Sequence, residues 1–350
     1  MPLTEPMSQE NARSWMQRLL QGELDPSQMR EALLALNTRP ETSAELAGFA
    51  EAMRAASVTL PFTEEERAEL VDTCGTGGDA SGTFNISTAV ALTAAACGVK
   101  IAKHGNRSVT SRCGSADVLE ALGIPVGLEP EAAVEAIRKH NFAFLLATTM
   151  HPAMKIVAPV RREIGVRTIF NVLGPMTNPA GAKAQVMGVY SAHLVPIVAQ
   201  ALATMGVRRA MVVHGDVGSR EAGNRDTGNR EQGTGSSVTG GLDEISLSGV
   251  SQVAEVRSGE VKTYTVAPEH AGLKRAPIEA LAGGDAEKNA SILQTIFAGE
   301  PGPRRDVVLL NAAAVLMVSG HANSLRKGLQ VAAAAIDSGQ VFRLVELLRS

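Results

Sequence analysis

The sequence predicts an α/β fold with a small, all-helical N-terminal domain and a larger α/β domain built on a mostly parallel central sheet. Apolar residues recur at helical spacing over residues 11–57, and from residue 69 onward short apolar runs alternate with helical segments. Strands that alternate with helices favour a parallel sheet, because a parallel pair of strands needs a crossover connection. We therefore expect a helical domain at residues 1–68, joined by a helical segment near 167–183, and an α/β domain at residues 69–350.

The elements of the α/β domain are predicted in chain order. The apolar residues 70–71 indicate a strand, which leads through a glycine-rich loop into an alanine-rich helix over residues 87–97. Gly123 is a normal helix stop and ends the next predicted helix. The remaining predicted strands are 99–102, 142–147, 184–189 and 210–213, and the remaining helices are 115–122, 151–164, 194–205 and C-terminal stripes at 292–297, 307–318 and 331–348.

Composition excludes several classes of protein. A formal net charge of -3 provides no general field for nucleic acid, so we expect no nucleic-acid partner. The three cysteines are too few and too irregularly spaced for a disulfide framework or a zinc site. The N-terminal residues lack the pattern of a signal peptide, and the chain has no run of about 20 apolar residues. We predict a cytoplasmic protein with no membrane partner.

Residues 216–241 differ in composition from the rest of the chain. They are mostly Gly, Ser, Asn, Thr, Arg and Glu, with almost no apolar side chain. Such a segment buries too little surface to offset the entropy lost on ordering. We predict a mobile surface loop here, without a catalytic residue of its own.

A glycine-rich loop follows the first predicted strand. Gly75, Gly77 and Gly78 allow backbone N–H groups to turn towards phosphate oxygens, although a tight strand-to-helix turn explains the same glycines. Polar residues 85–88 then begin a helix, where unsatisfied N–H groups and the helix dipole attract anions. An N-cap role for Ser87 or Thr88 is the alternative.

A second polar loop, residues 103–111, contains two permanent cations, an imidazole, an amide and three hydroxyls. A solvated basic loop is the alternative interpretation. Ser115 then opens a second helix with a polar start. Both loops are expected to leave the same end of neighbouring parallel strands, which is where open α/β sheets bind ligands. The two loops therefore predict one site for a highly anionic substrate.

These residues resemble, in order and spacing, those of the anthranilate phosphoribosyltransferases. The resemblance spans nearly the whole chain. It implies a nucleoside phosphorylase/phosphoribosyltransferase-like fold and Mg²⁺-dependent transfer of a phosphoribosyl group to anthranilate in tryptophan biosynthesis. We also expect a homodimer with an interface on the apolar N-terminal helices, although a packed intramolecular core explains these helices equally well. The alternatives are a pyrimidine nucleoside phosphorylase-like enzyme and a non-catalytic relative that binds nucleic acid. The matching segments are residues 75–79, 85–88, 103–111, 114–117, 151–155, 161–168, 171–179 and 241–244.

The resemblance also implies which residues bind each substrate. Anthranilate is expected at Gly75, Asn106 and Arg161, where an amide and a guanidinium suit an aromatic carboxylate. Arg161 is otherwise a charge on a helix surface. The residues implied for phosphoribosyl pyrophosphate are Gly75, Gly78, Asp79, Thr83, Asn85, Ile86, Ser87, Thr88, Lys103, His104, Gly105, Asn106, Arg107, Ser108, Val109, Thr110, Ser111 and Ser115.

Ser87, Asp243 and Glu244 are the implied Mg²⁺ ligands, and their hard oxygen atoms suit that ion. Without the motif, the two acids would be interpreted as surface residues. His104 lies in the polar loop without an identifiable proton-transfer partner. His151 and Pro152 are expected to be structural, at the start of a helix. We therefore assign no general base.

The sequence departs from the family pattern at two places. Residues 216–240 are interposed directly before the implied metal ligands, although loop-closure entropy grows slowly enough for the fold to tolerate them. Their presence raises the question of how firmly Asp243 and Glu244 are held. Thr83 occupies a position where the family often has serine, and it keeps the hydroxyl.

We predict that Arg161→Ala raises the KM for anthranilate by at least about tenfold, because it removes a charged hydrogen-bond donor to the carboxylate. Steady-state kinetics with varied anthranilate would measure this. Arg162→Ala, a change at the neighbouring residue, is the control. An unchanged KM in Arg161→Ala would remove Arg161 from the anthranilate site.

Overall fold

The computed structural model describes residues 3–79, 81–108, 112–218 and 241–349. Three residues of the predicted substrate loop, Val109, Thr110 and Ser111, lie outside these ranges. So does most of the segment that we predict to be a mobile loop. The fold below is that of the described residues.

Four helices form the N-terminal part of the chain: α1 (Gln9–Leu20), α2 (Pro26–Leu36), α3 (Ser43–Ala55) and α4 (Glu64–Glu69). Each begins after a side chain that accepts a hydrogen bond from the first turn, namely Ser8, Asp25, Thr42 and Thr63. Helices α1 and α3 approach closely because Gly48 has no side chain. A Cβ at Gly48 would lie 2.2 Å from the carbonyl oxygen of Gln9.

The described strands form one sheet in the order β3-β2-β1-β4-β5-β7-β8, with β6 paired to β5. Strands β1 to β5 are parallel to one another, whereas β6, β7 and β8 pair in the antiparallel sense. The mostly parallel sheet is thus confirmed. The bounds of the strands are β1 (Val71–Gly75), β2 (Ile101–Gly105), β3 (Phe142–Leu146), β4 (Ala184–Gly188), β5 (Arg209–Asp216), β6 (Gly241–Leu242), β7 (Ser251–Arg257) and β8 (Glu260–Val266).

Helices cover both faces of the sheet. Alternate residues of a strand point to opposite faces, so each strand contributes side chains to the core on each side. In β5, Met211 and Val213 belong to one hydrophobic cluster, and Ala210 and Val212 belong to the other. The further helices are α5 (Ile86–Ala96), α6 (Ser115–Ala121), α7 (Pro130–His140), α8 (Ala147–Met150), α9 (Met154–Ile164), α10 (Phe170–Met176), α11 (Leu194–Thr204), α12 (Ala286–Phe297), α13 (Pro303–Val318), α14 (Leu325–Asp337) and α15 (Gln340–Leu348).

The N-terminal helices share their core with later parts of the chain. Leu46 and Phe49 of α3 belong to the same cluster of buried residues as Val157 of α9 and Val172 and Leu173 of α10. Arg54 donates from Nε to the carbonyl oxygen of Met176 at 2.9 Å. These contacts fix the helical domain against the segment that precedes β4. The exact domain boundaries near 68 and 167–183 stay a prediction.

Several predicted elements differ from the structure. The predicted helix 331–348 is wrong as a single element, because Gly339 adopts a φ of 71° and separates α14 from α15. The predicted helix 151–164 begins only at Met154, because His151 has φ -125° and ψ 69°, outside the helical region. Pro152 therefore does not occupy the first helical position. The predicted strand 99–102 lies instead at residues 101–105.

The antiparallel hairpin β7–β8 and helix α7 were not foreseen from the sequence. The sequence carried a usable signal for the hairpin, the dipeptide Ser258-Gly259. In the structure both residues adopt positive φ, 51° and 89°, in the turn. Two central residues with positive φ are typical of the tight turns that join antiparallel strands. The sequence also carried signals for helix α7, namely Pro130 at its start and three basic residues in its last turn.

Among the described residues, we find no helix that is both long enough and apolar enough to cross a bilayer.

Candidate active site

The glycine loop at the carboxyl end of β1 is held by hydrogen bonds to the end of β4. Gly77 and Gly78 have φ values of 65° and 72°, a conformation that glycine adopts without strain. Thr76 donates its N–H to the carbonyl oxygen of Gly188, 3.0 Å away at the end of β4. The hydroxyl of Thr76 accepts a hydrogen bond from the N–H of Tyr190 at 2.9 Å. The loop is thus an ordered part of the site as well as a turn.

A buried lysine lies beneath this loop. Lys103 of β2 is only 1% exposed, and its Nζ donates to the carbonyl oxygen of Thr73 (2.7 Å) and to Oγ of Ser87 (3.2 Å). Burial lowers the pKa of Lys103, whereas the neighbouring Asp72, Asp243 and Glu244 carboxylates oppose that effect. Lys103 therefore provides a fixed positive charge between strand β1 and the start of α5.

Asp243 and Glu244 lie at this same place and not on an open surface. Oδ2 of Asp243 accepts the N–H of Gly77 at 2.8 Å, and Oδ2 of Asp79 accepts the N–H of Asp243 at 3.4 Å. Burial and the nearby Asp79 raise the pKa of Asp243 to about 8. Burial and Asp243 likewise raise the pKa of Glu244, although the N–H of Ser87 bonds its carboxylate. The alternative of two surface acids is wrong.

The segment that carries these acids is firmly held, despite the long insertion before it. Strand β6 pairs with the end of β5, so that Gly241 lies opposite Asp216. The side chain of Asn311 on α13 accepts the N–H of Ile245 and donates to the carbonyl oxygen of Ile245, both at 2.9 Å. A Cβ on Gly188 would lie 1.5 Å from the carbonyl oxygen of Asp243. Asp243 and Glu244 therefore lie on a firmly held segment, although residues 216–240 are inserted before it.

The chemistry of this corner suits a hard divalent cation. Asp79, Asp243 and Glu244 interact with one another through their charges, and Ser87 bonds Glu244 through its N–H. Burial, and then the neighbouring carboxylates, raise the pKa values of Asp243 and Glu244. The described residues nevertheless contain no group of three or more His, Cys, Asp and Glu side chains placed to hold a metal ion by themselves. A cation here would need ligands from Ser87, water or a substrate, which is how Mg²⁺ is commonly bound.

The start of α5 presents main-chain groups and hydroxyls. Asn85 is the N-cap residue, without a capping bond from its side chain, so the N-cap role proposed for Ser87 or Thr88 is wrong. Asn85 is oriented instead by Asn289, whose Nδ2 donates to Oδ1 of Asn85 at 2.9 Å. The hydroxyl of buried Thr88 has no hydrogen-bond partner among the described residues. Ile86 is buried, and the hydroxyl of Thr83 lies 3.2 Å from that of Ser81.

The second polar loop is only partly directed at the site. Gly105 ends β2, where a Cβ would lie 2.9 Å from the ring of Phe144. The guanidinium of Arg107 forms ion pairs with Glu120 and, at 3.6 Å, with Asp117 on α6. Asp117 also accepts the N–H groups of Ser108 and Gly114, at 3.0 and 2.8 Å, in the turn before Ser115. The charge of Arg107 is thus paired with acids of α6, so the described part of the loop, residues 103–108, is not a set of free cations.

Arg161 of α9 is partly buried and stacks on an aromatic ring. Its Cζ lies 5.3 Å from the centroid of the Phe170 ring, and its Nη2 is 3.5 Å from Oδ1 of Asn171. Burial lowers the pKa of Arg161. Arg161 is therefore a positioned guanidinium, unlike the mobile surface charge of the alternative. Phe170 and Asn171 were missed as site residues, although the segment 171–179 was part of the recognised pattern.

Two histidines form a neutral pair beside the site. The rings of His104 and His151 have centroids 5.0 Å apart, and both residues are buried. Burial lowers the pKa of His104 to about 3, with His151 adding to the effect, and burial lowers the pKa of His151 to about 4. Nε2 of each ring is buried without a hydrogen-bond partner in the described structure. Neither imidazole is a cation at neutral pH.

The chain is similar to known proteins over nearly its whole length. A model of a glycosyl transferase family helical bundle domain matches residues 4–57, and that of a glycosyl transferase family a/b domain matches residues 67–234 and 229–342. An anthranilate phosphoribosyltransferase of Symbiobacterium thermophilum is 47% identical, over 98% of this chain and 93% of that protein. The chain belongs to the anthranilate phosphoribosyltransferase family.

Two solved structures extend the likeness to the fold. The anthranilate phosphoribosyltransferase of Thermus thermophilus superposes with a TM-score of 0.86 at 42% identity, covering 99% of this chain and 96% of that one. The enzyme of Saccharomyces cerevisiae, in complex with PRPP and Mg, has a TM-score of 0.80 at 27% identity, covering 97% and 92%. The predicted fold class and the predicted transferase of tryptophan biosynthesis are confirmed. These relatives favour the anthranilate phosphoribosyltransferase family over the nucleoside phosphorylase alternative.

The histidine pair makes stability depend on pH in a defined direction. The unfolded chain takes up protons on these histidines below about pH 6.5, whereas the folded chain resists protonation down to about pH 3 to 4. We expect each histidine to lower the free energy of unfolding by about 1 to 2 kcal/mol between pH 7.5 and pH 5. Asp243 and Glu244, whose pKa values burial raises, change it in the opposite direction over this range. Denaturant titrations at both pH values, on the unchanged protein and on a variant without the two histidines, would separate the histidine contribution.

The double variant His104→Asn/His151→Asn should lose that part of the pH dependence. His321→Asn, at an exposed position, should keep it. If the double variant keeps the pH dependence of the unchanged protein, the two histidines are not buried in their neutral form.

Proposed function

We propose that the chain catalyses transfer of the 5-phosphoribosyl group of phosphoribosyl pyrophosphate to the amine of anthranilate, with the residues described above. The bond between the ribose carbon and pyrophosphate breaks, and a bond from the amine nitrogen to that carbon forms. The single observation that carries the proposal is the placement of buried Lys103 between the glycine loop, Ser87 and the acidic pair Asp243–Glu244. This arrangement supplies a fixed cation for a diphosphate and hard oxygen ligands for a metal ion that accompanies it.

The leaving group is stabilised by charge that is already in place. Hydrogen bonds to Thr73 and Ser87 hold the ammonium group of Lys103 in position. Little reorganisation around this charge is therefore needed during the reaction. The first turn of α5 and the glycine loop add N–H donors for phosphate oxygens.

We propose Mg²⁺ as the cofactor, held by Ser87, Asp243 and Glu244, with Asp79 beside them. When bound, the ion would neutralise developing charge on the pyrophosphate. Asp243 at the same time accepts the N–H of Gly77, so the carboxylate that holds the metal also fixes the glycine loop. Gly75 leaves room for this carboxylate, because a Cβ there would lie 2.2 Å from Oδ2 of Asp243. The chain thereby couples the conformation of the loop to the metal site.

We assign the acceptor site to Gly75, Asn106 and Arg161. The guanidinium of Arg161 is oriented by stacking on Phe170 and by contact with Asn171. In this orientation it can form two hydrogen bonds to a carboxylate. The aromatic amine is a weak nucleophile. Holding it at attacking distance is therefore the main contribution of the acceptor site to the rate. The low pKa values of His104 and His151 support a reaction without an imidazolium acid.

Anthranilate fluorescence tests the proposal directly. With purified protein, Mg²⁺ and phosphoribosyl pyrophosphate, we expect loss of fluorescence in step with release of pyrophosphate, and no reaction after chelation with EDTA. Asp243→Asn should raise the Mg²⁺ concentration for half-maximal rate by at least about tenfold. Glu260→Gln, an exposed change on β8, should leave it unaltered. Phosphorolysis of pyrimidine nucleosides without turnover of anthranilate would support the nucleoside phosphorylase alternative.

We further propose a cytoplasmic homodimer that associates through the helical domain. Leu34 of α2, Ile156 of α9 and Val166 are large apolar side chains that are 42%, 39% and 61% exposed. Apolar surface of this kind is stabilised when a second copy covers it. Light scattering should give twice the 36.5 kDa of one chain. Leu34→Glu/Ile156→Glu should give a monomer and Val250→Glu a dimer, whereas a monomeric unchanged protein would contradict the proposal.

A further inference from the structure

Arg167, which lies between α9 and α10, contacts both the helical domain and the glycine loop. Its carbonyl oxygen accepts a hydrogen bond from Nδ2 of Asn37, at the end of α2, with a length of 2.7 Å. Its Nη1 donates to the carbonyl oxygen of Gly78 at 3.2 Å. One residue thus connects the two domains at the point where phosphate is expected to bind.

The guanidinium of Arg167 is held in place by an aromatic ring. Its Cζ lies 4.5 Å from the centroid of the Tyr190 ring. Tyr190 is itself fixed, because its N–H donates to the hydroxyl of Thr76 at 2.9 Å. Arg167 and Tyr190 therefore contact the glycine loop at two nearby places, Gly78 and Thr76. A guanidinium can stack through its face and donate through its edge at the same time, which an ammonium group cannot do.

The glycine loop needs such restraint. Gly77 and Gly78 both have positive φ, and glycine loses more conformational freedom on ordering than any other residue. A loop that must be ordered when phosphate binds loses affinity by the cost of that ordering. Asp243 restrains the N–H of Gly77, and Arg167 restrains the carbonyl oxygen of the next residue. The two contacts therefore hold the peptide units on either side of the Gly77–Gly78 peptide bond.

We propose that Arg167 is a positioning residue that, with Tyr190, holds the glycine loop in its phosphate-binding conformation before the substrate arrives. This inference rests on the proposed function, since it assigns the loop to phosphoribosyl pyrophosphate. Arg167 acts through the main chain of the loop. Through Asn37 it also makes the loop conformation depend on the position of the helical domain.

Four variants and one control test this role. Arg167→Ala removes both contacts, Arg167→Lys keeps the charge without the planar group, Tyr190→Leu removes the ring, and Tyr190→Phe keeps the ring. Arg162→Ala is the control, because Arg162 is an exposed arginine on the same segment. Thermal unfolding of every variant establishes that it is folded. Hydrogen exchange of the Thr76 and Gly77 amides, which bond to Gly188 and Asp243, reports the loop directly when measured without substrate.

For Arg167→Ala, Arg167→Lys and Tyr190→Leu, we expect the KM for phosphoribosyl pyrophosphate to rise about tenfold, as loss of one charged hydrogen bond implies. The KM for anthranilate should change by less than about twofold, and exchange of the two amides should become about tenfold faster. Tyr190→Phe and Arg162→Ala should match the unchanged protein. Rescue of the KM by Arg167→Lys would contradict the need for a planar group.

Two further outcomes would overturn the proposal. A raised KM with unchanged amide exchange would mean that Arg167 contacts the substrate itself and does not order the loop. An unchanged KM together with unchanged exchange would mean that the contacts to Gly78 and Tyr190 have no consequence. If the unchanged protein transfers nothing to anthranilate, the proposed function fails, whereas the exchange measurement still decides whether Arg167 orders the loop.

Discussion

The burial of one positive charge, that of Lys103, is the constraint on which the site depends. A lysine that is 1% exposed needs acceptors and an opposite charge close by, because an unpaired buried ion is strongly destabilising. The carbonyl oxygen of Thr73, the hydroxyl of Ser87 and the carboxylates of Asp72, Asp243 and Glu244 meet this need. These groups come from β1, α5 and the segment after β6. The sheet edge is thus organised around a single ammonium group.

Asp72 is a carboxylate in the interior of the protein that interacts with the charge of Lys103. Its carboxylate is fully buried, and burial raises its pKa, although Asn178, Lys103 and the N–H of His104 act in the opposite direction. Asn178 also donates to the carbonyl oxygen of Ala102 at 2.7 Å. Arg54 of α3, whose pKa burial lowers to about 10, faces Asp72 from the helical domain. The charge of Arg54 in the helical domain therefore interacts with Asp72, which in turn interacts with the buried lysine.

The glycine loop and the acidic pair depend on each other in the same manner. Asp243 accepts the N–H of Gly77, while Gly188 makes space for the main chain of Asp243. Asn311, on a buried face of α13, fixes Ile245 from behind. The acidic pair is consequently held by the sheet and by α13, and the length of the insertion before it has little influence on its position. These hydrogen bonds join the side chains of Asp243 and Asn311 to main-chain groups of Gly77 and Ile245.

The sequence by itself determined the class of fold, the two polar loops and the family to which the chain belongs. Periodicity located most helices and the parallel strands, because apolar residues at fixed spacing must face a core whatever their partners are. It did not separate α14 from α15, since the break depends on the φ of Gly339, and it did not find the hairpin β7–β8. Only the tertiary structure decided that Arg107 pairs with α6 acids, that His104 lies against His151, and that Arg167 reaches Gly78. Each of these contacts joins residues from different elements, and the direction of a side chain in such a contact is set by packing that no local pattern encodes.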